Sequence, residues 1–327
     1  MPRALVTGAA GFLGSHLCDA LLAKGWDVAG FDNLSHGNER NLESAHSDEK
    51  FTFFQADVRD DTAVLEAASD ASVIAHLAAF KIPRYGGRAE TLEINAVGTR
   101  NVLEAARRLS TRVLFASTSD CYGKSPDIPF REETDLVFGP PEVARWAYAV
   151  SKHYSEHLCF GYMEEHRVPV TIVRFSGCYG PRQPTSWWGG PHGVFVDRAL
   201  RGEPLPIHGD GQQTRSFTFV SDAIAATILL LERPLDETNG QVFNVGTAEE
   251  VAIVRLAELI WQLIHPADLP RLQFVPYESF TGAPYEDVRR RVLDCSRLMK
   301  LGWKPEVSLE EGLRQTVAWL CDTLQTA

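Results

Sequence analysis

Short apolar runs alternate with longer amphipathic stretches through the first half of the chain. The apolar runs predict strands, and the stretches with helical periodicity predict helices between them. The predicted strands are residues 3–7, 27–31, 51–54, 72–76, 112–116 and 169–173. The predicted helices lie near residues 15–24, 61–69, 90–108 and 145–166. Strands that alternate with helices in this way are typical of an α/β protein with a parallel, doubly wound sheet.

The character of the chain changes after Arg174, where helical and strand segments alternate less regularly. Residues 181–193 contain three prolines, three glycines and the pair Trp187–Trp188, which predicts an ordered loop. We expect a first domain over residues 1–175 and a smaller C-terminal α/β lobe over residues 176–327, with part of 215–247 returning to the first sheet. A ligand is expected in the cleft between the two lobes.

A glycine-rich turn connects the first predicted strand to the first predicted helix. Gly8, Gly11 and Gly14 follow the strand directly. The first permits a tight turn, the second lets backbone approach a phosphate, and the third lets the helix pack close to the strand. Asp32 ends the second strand, where a carboxylate can accept both ribose hydroxyls and would repel a 2′-phosphate. The segment therefore predicts a Rossmann-like fold that binds NAD rather than NADP.

Tyr148 and Lys152 stand one helical turn apart, so both side chains project from one helix face. A phenol has a reference pKa of about 10 and is a poor base at neutral pH. A neighbouring ammonium, together with a nicotinamide cation, would favour the phenolate and bring it into range for proton transfer. Such a site can remove a proton from a sugar hydroxyl while hydride leaves the same carbon. The alternative is a surface helix with a solvated lysine, which the glycine turn upstream disfavours.

The composition narrows the class of protein. The chain has 327 residues, of which 44% are hydrophobic and 23% are charged, as expected for a soluble globular protein of one or two domains. A net charge of −11 argues against binding to nucleic acid or a membrane surface. The six scattered cysteines form no CxxC pair, and the first strand leaves no room for a signal peptide, so we expect a cytoplasmic protein. The histidine pair 153 and 157 has helical spacing but no evident third ligand, so we predict no metal site.

A series of short motifs runs through nearly the whole chain. They are TGAAGFLG at 7–14, DNLS at 32–35, DV at 57–58, HLAA at 76–79, IN at 94–95, FASTSDCYG at 115–123, YAVSK at 148–152, RFSGCYGPRQ at 174–183, TRSFTFVSD at 214–222 and FNVG at 243–246. On these motifs the chain resembles the extended short-chain dehydrogenase/reductase family, within it the nucleotide-sugar epimerases, dehydratases and decarboxylases. The resemblance implies NAD as cofactor and a nucleoside diphosphate sugar, UDP-linked, as substrate. It also implies a homodimer formed through helices 90–108 and 145–166.

The resemblance implies a set of cofactor-binding residues. These are Gly8, Gly11, Phe12, Leu13, Gly14, Asp32, Asn33, Asp57, Val58, Leu77, Ala78, Ala79 and Lys152. Asp57 and Val58 are expected to hold the adenine, whereas His76 and Asn95 are expected to be structural. The catalytic residues implied are Tyr148, Lys152, Thr118 and Asp120. Thr118 would hydrogen-bond the 4-hydroxyl of the sugar and relay its proton to Tyr148; an ordinary buried threonine is the alternative.

The resemblance also implies substrate-binding residues, namely Lys81, Arg84, Thr118, Tyr148, Gly177, Trp188, Arg215 and Arg291. Arg215 and one of the arginines 289–291 would clamp the diphosphate, because a guanidinium forms bidentate, charge-assisted hydrogen bonds. Arg84 would pair with a uronate carboxylate or form a surface salt bridge. Gly177 replaces the asparagine of most relatives, so one substrate contact is missing or supplied elsewhere. Trp188 and its neighbour would stack on a sugar or base, or pack between the lobes.

Asp120 bears on the type of reaction. The family has glutamate here in UDP-glucuronate decarboxylases and a neutral residue in most 4-epimerases, whereas Ser119 counts against dehydration. If the extended backbone continues past Thr118, Asp120 shares its strand face. Asp120 would act as a base or stabilise the site near carbons 5 and 6 of the sugar; equally, it would hydrogen-bond backbone and do no chemistry. Our first expectation is an NAD-dependent 4-epimerase of a UDP-hexose or UDP-hexuronate, working through a 4-keto intermediate. The alternatives are a UDP-glucuronate decarboxylase, a related dehydratase and a non-catalytic NAD-binding regulator.

Overall fold

The computed structural model describes residues 2–81, 87–277, 279 and 287–325. The chain forms two compact units, each assembled from segments that are distant in sequence. The first unit comprises Met1–Cys121, Trp146–Phe175 and Ile224–Phe243. The second unit comprises Tyr122–Arg145, Ser176–Ala223 and Asn244–Ala327.

The strands and α-helices are numbered in chain order. The strands are β1 (Arg3–Thr7), β2 (Asp27–Asp32), β3 (Phe51–Gln55), β4 (Val73–His76), β5 (Arg112–Thr118), β6 (Val170–Phe175), β7 (Cys178–Tyr179), β8 (Leu205–His208), β9 (Thr214–Arg215), β10 (Thr218–Phe219), β11 (Gln241–Val245), β12 (Val251–Ala252), β13 (Leu272–Val275) and β14 (Arg290–Arg291). The helices are α1 (Phe12–Ala23), α2 (Glu43–His46), α3 (Asp61–Ala67), α4 (Arg88–Leu109), α5 (Trp146–His166), α6 (Pro191–Leu200), α7 (Val220–Glu232), α8 (Leu235–Thr238), α9 (Ile253–Ile264), α10 (Ser296–Met299) and α11 (Leu309–Gln325).

A seven-stranded sheet has the order β3-β2-β1-β4-β5-β6-β11. The pairs from β3 through β6 are all parallel. The order reverses between β1 and β4, and open α/β sheets bind ligands at the carboxyl ends of strands beside such a reversal. Thr7 at the end of β1 is in register with Phe31 on one side and His76 on the other. The predicted Rossmann-like, doubly wound α/β fold is confirmed, and the six predicted strands are all present.

Apolar side chains bury one face of this sheet beneath helices. Leu5, Phe31, Ile74, Phe115 and Ile172, from five different strands, are at most 1% exposed and belong to one core cluster. Residues of α3, α4 and α5 complete the cluster. Strands that are buried throughout need no alternation of polar and apolar residues, which explains their continuous apolar runs. This core fixes the strand ends on which the candidate site is built.

Helix α6 begins inside the segment 181–193, which we predicted to be a loop. Pro191 occupies the first turn of the helix. Proline suits that position because its fixed φ is already helical and its missing N–H would have no helical partner there. The proline that suggested a loop therefore marks the start of a helix.

The second unit is built from shorter strands. β7 pairs with β10, β8 pairs with β13, and β9 lies between β12 and β14. Helices α6, α9 and α11 pack against one another. Trp261 on α9 is 1% exposed, and the Tyr179 hydroxyl donates to the carbonyl oxygen of Leu309 at 3.2 Å. Helix packing and scattered polar contacts hold these short strands in place.

Across the described ranges, every helix is too short or too polar to cross a membrane.

Candidate active site

The glycine turn after β1 leaves a cradle that a side chain would fill. Gly8 has a φ of +73°, and a Cβ on it would lie 2.8 Å from the backbone nitrogen of Ala78. A Cβ on Gly14 would overlap the carbonyl oxygen of Gly8. Helix α1 begins after Gly11 with no side-chain cap, so its first backbone N–H groups can bind an anion. These features fit the pyrophosphate of NAD.

Asp32 lies at the end of β2, beside the glycine turn. Its Oδ2 accepts from the backbone nitrogen of Ala10 at 3.1 Å, and its Oδ1 accepts from that of Leu34 at 2.8 Å. Burial raises the pKa of Asp32, and the two backbone donors oppose that rise. A carboxylate anchored here would repel a 2′-phosphate, so its position fits NAD better than NADP.

Asp57 follows β3 and is held by two side chains. Arg59 donates to it from Nε at 2.9 Å and from Nη2 at 2.8 Å, and Asn33 donates from Nδ2 at 2.9 Å. The hydrogen bonds from Arg59 lower the pKa of Asp57 to about 2. The neighbouring Val58 is buried. Asp57 is therefore a fixed carboxylate at the sheet edge where we expected the adenine.

His76 at the end of β4 is buried in a network of hydroxyl groups. Its Nδ1 lies 2.7 Å from Oγ1 of Thr7, and its Nε2 lies 3.3 Å from Oγ1 of Thr99. Burial lowers the pKa of His76 to about 3, so the ring is neutral. Thr7 Oγ1 also accepts from the backbone nitrogen of Ala78 at 3.2 Å, which fixes the segment 77–79 beside the turn. These contacts are structural, as the resemblance implied.

Asn95 joins the loop after β4 to the helix that carries Tyr148. Its Oδ1 accepts from the backbone nitrogen of Phe80 at 2.8 Å, and its Nδ2 donates to the carbonyl oxygen of Phe80 at 3.0 Å and to Oγ of Ser151 at 2.8 Å. Ser151 Oγ in turn donates to the carbonyl oxygen of Tyr148 at 2.8 Å. Asn95 therefore supports the site without entering it.

Three predicted catalytic residues come together where β5 ends. Lys152 on α5 donates from Nζ to the carbonyl oxygen of Ala116 at 2.7 Å. Thr118, the last residue of β5, forms a side-chain hydrogen bond with Tyr148. The helical spacing of Tyr148 and Lys152 thus places both against the end of one strand.

Burial controls the protonation states of this group. Burial raises the pKa of Tyr148 above its ordinary value, and the hydrogen bond with Thr118 opposes the rise. Burial lowers the pKa of Lys152 to about 8. Both shifts favour the uncharged form, so Lys152 alone does not produce a phenolate, and our prediction keeps its second requirement, a nicotinamide cation. A phenolate at Tyr148 requires a further positive charge.

Asp120 does not lie on an extension of β5. The strand ends at Thr118, and the chain turns into a 3₁₀ helix over Ser119–Tyr122. The backbone nitrogen of Asp120 donates to Oγ1 of Thr118 at 3.2 Å. The shared strand face that we considered is therefore wrong, because the hydroxyl of Thr118 binds the backbone and closes a turn. Asp120 is partly exposed beside Thr118.

The structure distinguishes the three consecutive arginines of the second unit. Arg289 donates to both oxygens of Asp210, at 2.8 and 2.9 Å, on the surface. Arg290 does the same with Glu250, at 2.8 Å to each oxygen. Burial lowers the pKa of Arg291 to about 10. Arg291 is partly buried with its Nε shielded from solvent, whereas Arg289 and Arg290 are exposed.

Arg215 is in register with Arg291 across the parallel strands β9 and β14. The two residues that we predicted to clamp a diphosphate are therefore neighbours. Arg215 donates from Nη2 to Oδ1 of Asp287 at 3.0 Å. Asp287 also accepts from Arg145 at 3.1 Å and from the hydroxyl of Tyr277 at 2.7 Å. The carboxylate of Asp287 therefore balances the charges of Arg215 and Arg145.

The two sequence departures in the second unit have local explanations. Gly177 has a φ of +49°, and a Cβ on it would overlap the carbonyl oxygen of Ser216. An asparagine at this position would strain the backbone. The ring of Trp187 lies 4.4 Å from that of His208, centroid to centroid, so Trp187 packs inside its own unit. Trp188 is partly exposed.

Lys81, Arg84 and the histidine pair 153 and 157 are the remaining residues that the sequence singled out. Lys81 is exposed at the end of the first described range, and Arg84 lies outside the described residues. The rings of His153 and His157 are 4.6 Å apart. Within residues 2–81, 87–277, 279 and 287–325, no group of three or more potential ligands is arranged to hold a metal ion.

Comparison with known families decides the class of this site. The model of the NAD dependent epimerase/dehydratase family matches residues 4–246, which include the glycine turn, Thr118, Tyr148 and Lys152. The chain belongs to this family. It is accordingly an enzyme, and NAD is its cofactor.

Relatives of this epimerase/dehydratase family member act on different sugars. UDP-N-acetyl-alpha-D-glucosaminuronate decarboxylase of Bacillus cytotoxicus is 36% identical over 97% of each chain. UDP-glucuronic acid decarboxylase 1 of Xenopus tropicalis is 33% identical over 99% of this chain and 73% of its own. UDP-glucuronic acid 4-epimerase of Bacillus cereus, solved with UDP-glucuronic acid and NAD, superposes with a TM-score of 0.87 at 28% identity, over 98% of this chain and 99% of its own.

Several residues that hold the site of this family member together were not among the predicted site residues. Glu156, Arg174 and Ser117 form a buried hydrogen-bonded group beside Lys152. Glu156 follows Lys152 by four residues, the spacing that relates Tyr148 to Lys152, so the helical period was a signal for it. Asp287 carried no comparable signal, because its partners are distant in sequence.

Proposed function

We propose that the enzyme decarboxylates a UDP-hexuronate by way of a 4-ketosugar. Two observations favour decarboxylation over 4-epimerisation. Relatives that match nearly all of this chain at 33–36% identity are decarboxylases of UDP-hexuronates. A carboxylate, Asp120, lies in the turn that Thr118 closes, beside the group that would oxidise the sugar. The position of Asp120 carries the proposal.

The first step assigns the sugar's 4-hydroxyl proton to Tyr148, with Thr118 between them. Bound NAD supplies the hydride acceptor and, later, the hydride donor, and its positive charge would favour the phenolate of Tyr148. Lys152, fixed to the carbonyl oxygen of Ala116, presents an ammonium to the same face of the helix. Side chains of the protein would therefore take up the hydroxyl proton, and NAD, when bound, would accept the hydride.

The second step removes carbon 6 as carbon dioxide. A ketone at carbon 4 makes the uronate a β-keto acid, so the electron pair of the breaking C5–C6 bond moves into the enolate of that ketone. Carbon 5 then takes up one proton. We assign the delivery of this proton to Asp120, whose partly exposed carboxyl group would take it from solvent and whose backbone nitrogen is held by Thr118. Return of hydride to carbon 4, with the proton from Tyr148, gives a UDP-pentose.

The substrate's diphosphate would bind at Arg215 and Arg291. Their side chains start from paired positions on neighbouring strands, and guanidinium groups suit phosphate oxygens. Arg289 and Arg290 are not included in this assignment because their side chains are exposed and form bidentate pairs with surface carboxylates.

A second candidate is 4-epimerisation of a UDP-hexuronate or UDP-hexose. It is favoured by the solved UDP-glucuronic acid 4-epimerase and by the UDP-glucose 4-epimerase of Thermotoga maritima, which is 30% identical over 98% of this chain and superposes with a TM-score of 0.87. The shorter Asp120, where we expected decarboxylases to have glutamate, points in the same direction. An epimerase shares the first step and returns hydride to the opposite face of carbon 4.

One incubation separates these candidates. The NAD-loaded enzyme is supplied with UDP-glucuronate, UDP-N-acetylglucosaminuronate, UDP-glucose and UDP-N-acetylglucosamine, and products are identified by mass and chromatography. We expect one UDP-hexuronate to lose the mass of carbon dioxide without net formation of NADH. A product of unchanged mass would favour epimerisation, and absence of any turnover would favour a non-catalytic NAD-binding role.

Asp120→Asn tests the carboxylate itself. Decarboxylation should fall about 100-fold, because general acid–base groups contribute on that order. Transient NADH absorbance at 340 nm should persist, since oxidation at carbon 4 does not use Asp120. Asp127→Asn, which changes an exposed aspartate nearby in sequence, is the matched control and should leave turnover unchanged. Equal turnover in both variants would remove Asp120 from the mechanism.

We also propose that the enzyme is a homodimer. Helices α4 and α5 pack together and expose Leu92, Val150 and Tyr154, which are 39%, 39% and 52% exposed. Apolar side chains on two adjacent long helices suit a helix-on-helix contact with a second copy. Light scattering should give twice the chain mass for the wild type and a lower mass for Val150→Glu. A monomeric wild type would contradict the proposal.

A further inference from the structure

A buried acidic residue lies one turn beyond Lys152 on the same face of α5. Glu156 is 3% exposed. On β5, Oγ of Ser117 donates to Oε1 of Glu156 at 2.5 Å. On β6, Arg174 donates from Nε to Oε1 at 2.9 Å and from Nη2 to Oε2 at 2.7 Å. Because Ser117 and Arg174 are paired in register, one carboxylate joins the helix to two neighbouring strands.

Three residues of α5 spaced four apart thus contact three successive residues of β5. The contacts are Tyr148 with Thr118, Lys152 with Ala116 and Glu156 with Ser117. A bidentate arginine pair has a narrow geometry, so the Glu156–Arg174 contact restricts rotation and sliding of α5. Any such movement would displace Tyr148 and Lys152 together.

The charge of Lys152 depends on the groups that face it. Burial lowers the pKa of Lys152 to about 8, and Cys121, Cys159 and Glu156 act in the opposite direction. Burial keeps both thiols protonated by raising their pKa values, to about 12 for Cys121, and lowers the pKa of His76 to about 3. The other groups here are Tyr148, which is uncharged at neutral pH, and Arg174, which is bound to Glu156. The negative charge that acts on Lys152 therefore comes from Glu156.

We propose that Glu156 is a positioning residue of the active site, which with Arg174 and Ser117 fixes α5 on the sheet and balances the ammonium of Lys152. The inference rests on the proposed function in one respect, namely that Tyr148 and Lys152 carry the chemistry. Glu156 acts through Lys152 and does not itself contact the reacting atoms.

Glu156→Gln keeps the shape of the side chain and removes its charge. The pKa of Lys152 should then fall, because the opposing negative charge is lost and Arg174 is left as an unbalanced cation. The alkaline limb of kcat/KM for the NAD-loaded enzyme should move down by about 1 pH unit. At pH 6, where Lys152 stays charged, the loss should be several-fold smaller than at pH 8. An alkaline limb that stays in place would overturn the proposal.

Two further variants separate the effect of the charge of Glu156 from the effect of its side-chain contacts. Ser117→Ala removes one hydrogen bond to Glu156 but no charge, so the limb should stay where it is in the wild type. Glu156→Asp keeps the charge but shortens the side chain, so kcat should fall about fivefold or more with KM and the limb unchanged. If Glu156→Gln does not fold, full kcat in Glu156→Asp overturns the proposal. Glu104→Gln, which breaks an exposed pair with Arg107 on α4, is the matched surface control.

Urea unfolding between pH 7 and 10.5 gives a readout that needs no substrate. The rise in unfolding free energy that accompanies deprotonation of Lys152 should begin about 1 pH unit lower in Glu156→Gln than in the wild type. If the wild type converts no UDP-sugar, the proposed function fails while this titration still tests Glu156. If UDP-sugars are converted and the titration curves coincide, Glu156 fails alone.

Discussion

The two units hold their buried cations in different ways. In the first unit, Lys152 donates to a strand carbonyl oxygen, and its balancing carboxylate, Glu156, is fixed by other partners one turn away. In the second unit, Arg215 pairs directly with Asp287 at 3.0 Å. The pKa of a buried lysine that donates to a backbone carbonyl oxygen responds to its surroundings, whereas a guanidinium that is paired with a carboxylate stays charged. The difference suits the proton transfer that we propose for the first unit and the anion binding that we propose for the second.

The largest effect should come from removing the hydroxyl of Tyr148. If the first unit carries the chemistry and the second binds the diphosphate, Tyr148→Phe should lower kcat by roughly 10²–10⁴-fold. Binding of UDP, measured by calorimetry, should change little, because Arg215 and Arg291 are untouched. Tyr154→Phe changes an exposed tyrosine of the same helix and serves as control. Undiminished turnover in Tyr148→Phe would refute the mechanism.

The same difference between the two units explains which site residues could be predicted from the sequence. Thr118, Tyr148 and Lys152 are brought together by a helical period and a parallel strand, and both are readable as local patterns. The turn at Asp120 was not readable, because nothing in the local pattern shows that β5 stops at Thr118 and that Thr118 accepts from the backbone nitrogen of Asp120. In the second unit the strands β9 and β14 contain two residues each, too few to show a period. Which of the three arginines is least exposed there depends on carboxylates far along the chain.

The next largest effect should be on stability, in the second unit. Asp287→Asn leaves Arg145 and Arg215 without the carboxylate that both now contact. Breaking a largely buried pair by removing one partner costs about 3–5 kcal/mol. The free energy of unfolding in urea should fall by an amount near the lower end, because Arg215 keeps hydrogen bonds to two backbone carbonyl oxygens. A loss below about 1 kcal/mol would show that these arginines do not depend on Asp287.

Lys152→Met should change how stability depends on pH. The pKa of Lys152 is about 8 in the fold against 10.5 as its ordinary value. Below pH 8 the ammonium is present in both states, and burying it costs about 3 kcal/mol. Between pH 8 and 10.5 the unfolded chain holds the extra proton, so this group makes unfolding less favourable as pH rises.

The wild type minus Lys152→Met difference in unfolding free energy should therefore rise by about 3 kcal/mol between pH 7 and 10.5. Urea titrations at four or five pH values measure it, and other lysines cancel in the difference. Lys24→Met is the control, because Lys24 is an exposed partner of Glu232. Parallel curves for the wild type and Lys152→Met would mean that Lys152 titrates as an exposed lysine does.

The smallest effects should come from the two arginines that precede Arg291 in sequence. Arg289→Gln and Arg290→Gln each break one bidentate pair on the surface, with Asp210 and with Glu250. Exposed pairs contribute about 0–1 kcal/mol, so unfolding free energy should change by less than about 1 kcal/mol and KM by less than about twofold. Both variants remove the same charge that Arg291→Gln removes, so they control for net charge. The three consecutive arginines cannot be distinguished by sequence, and only their exposure separates them. A tenfold rise in KM for Arg289→Gln or Arg290→Gln would therefore place the diphosphate at an exposed arginine and contradict its assignment to Arg291.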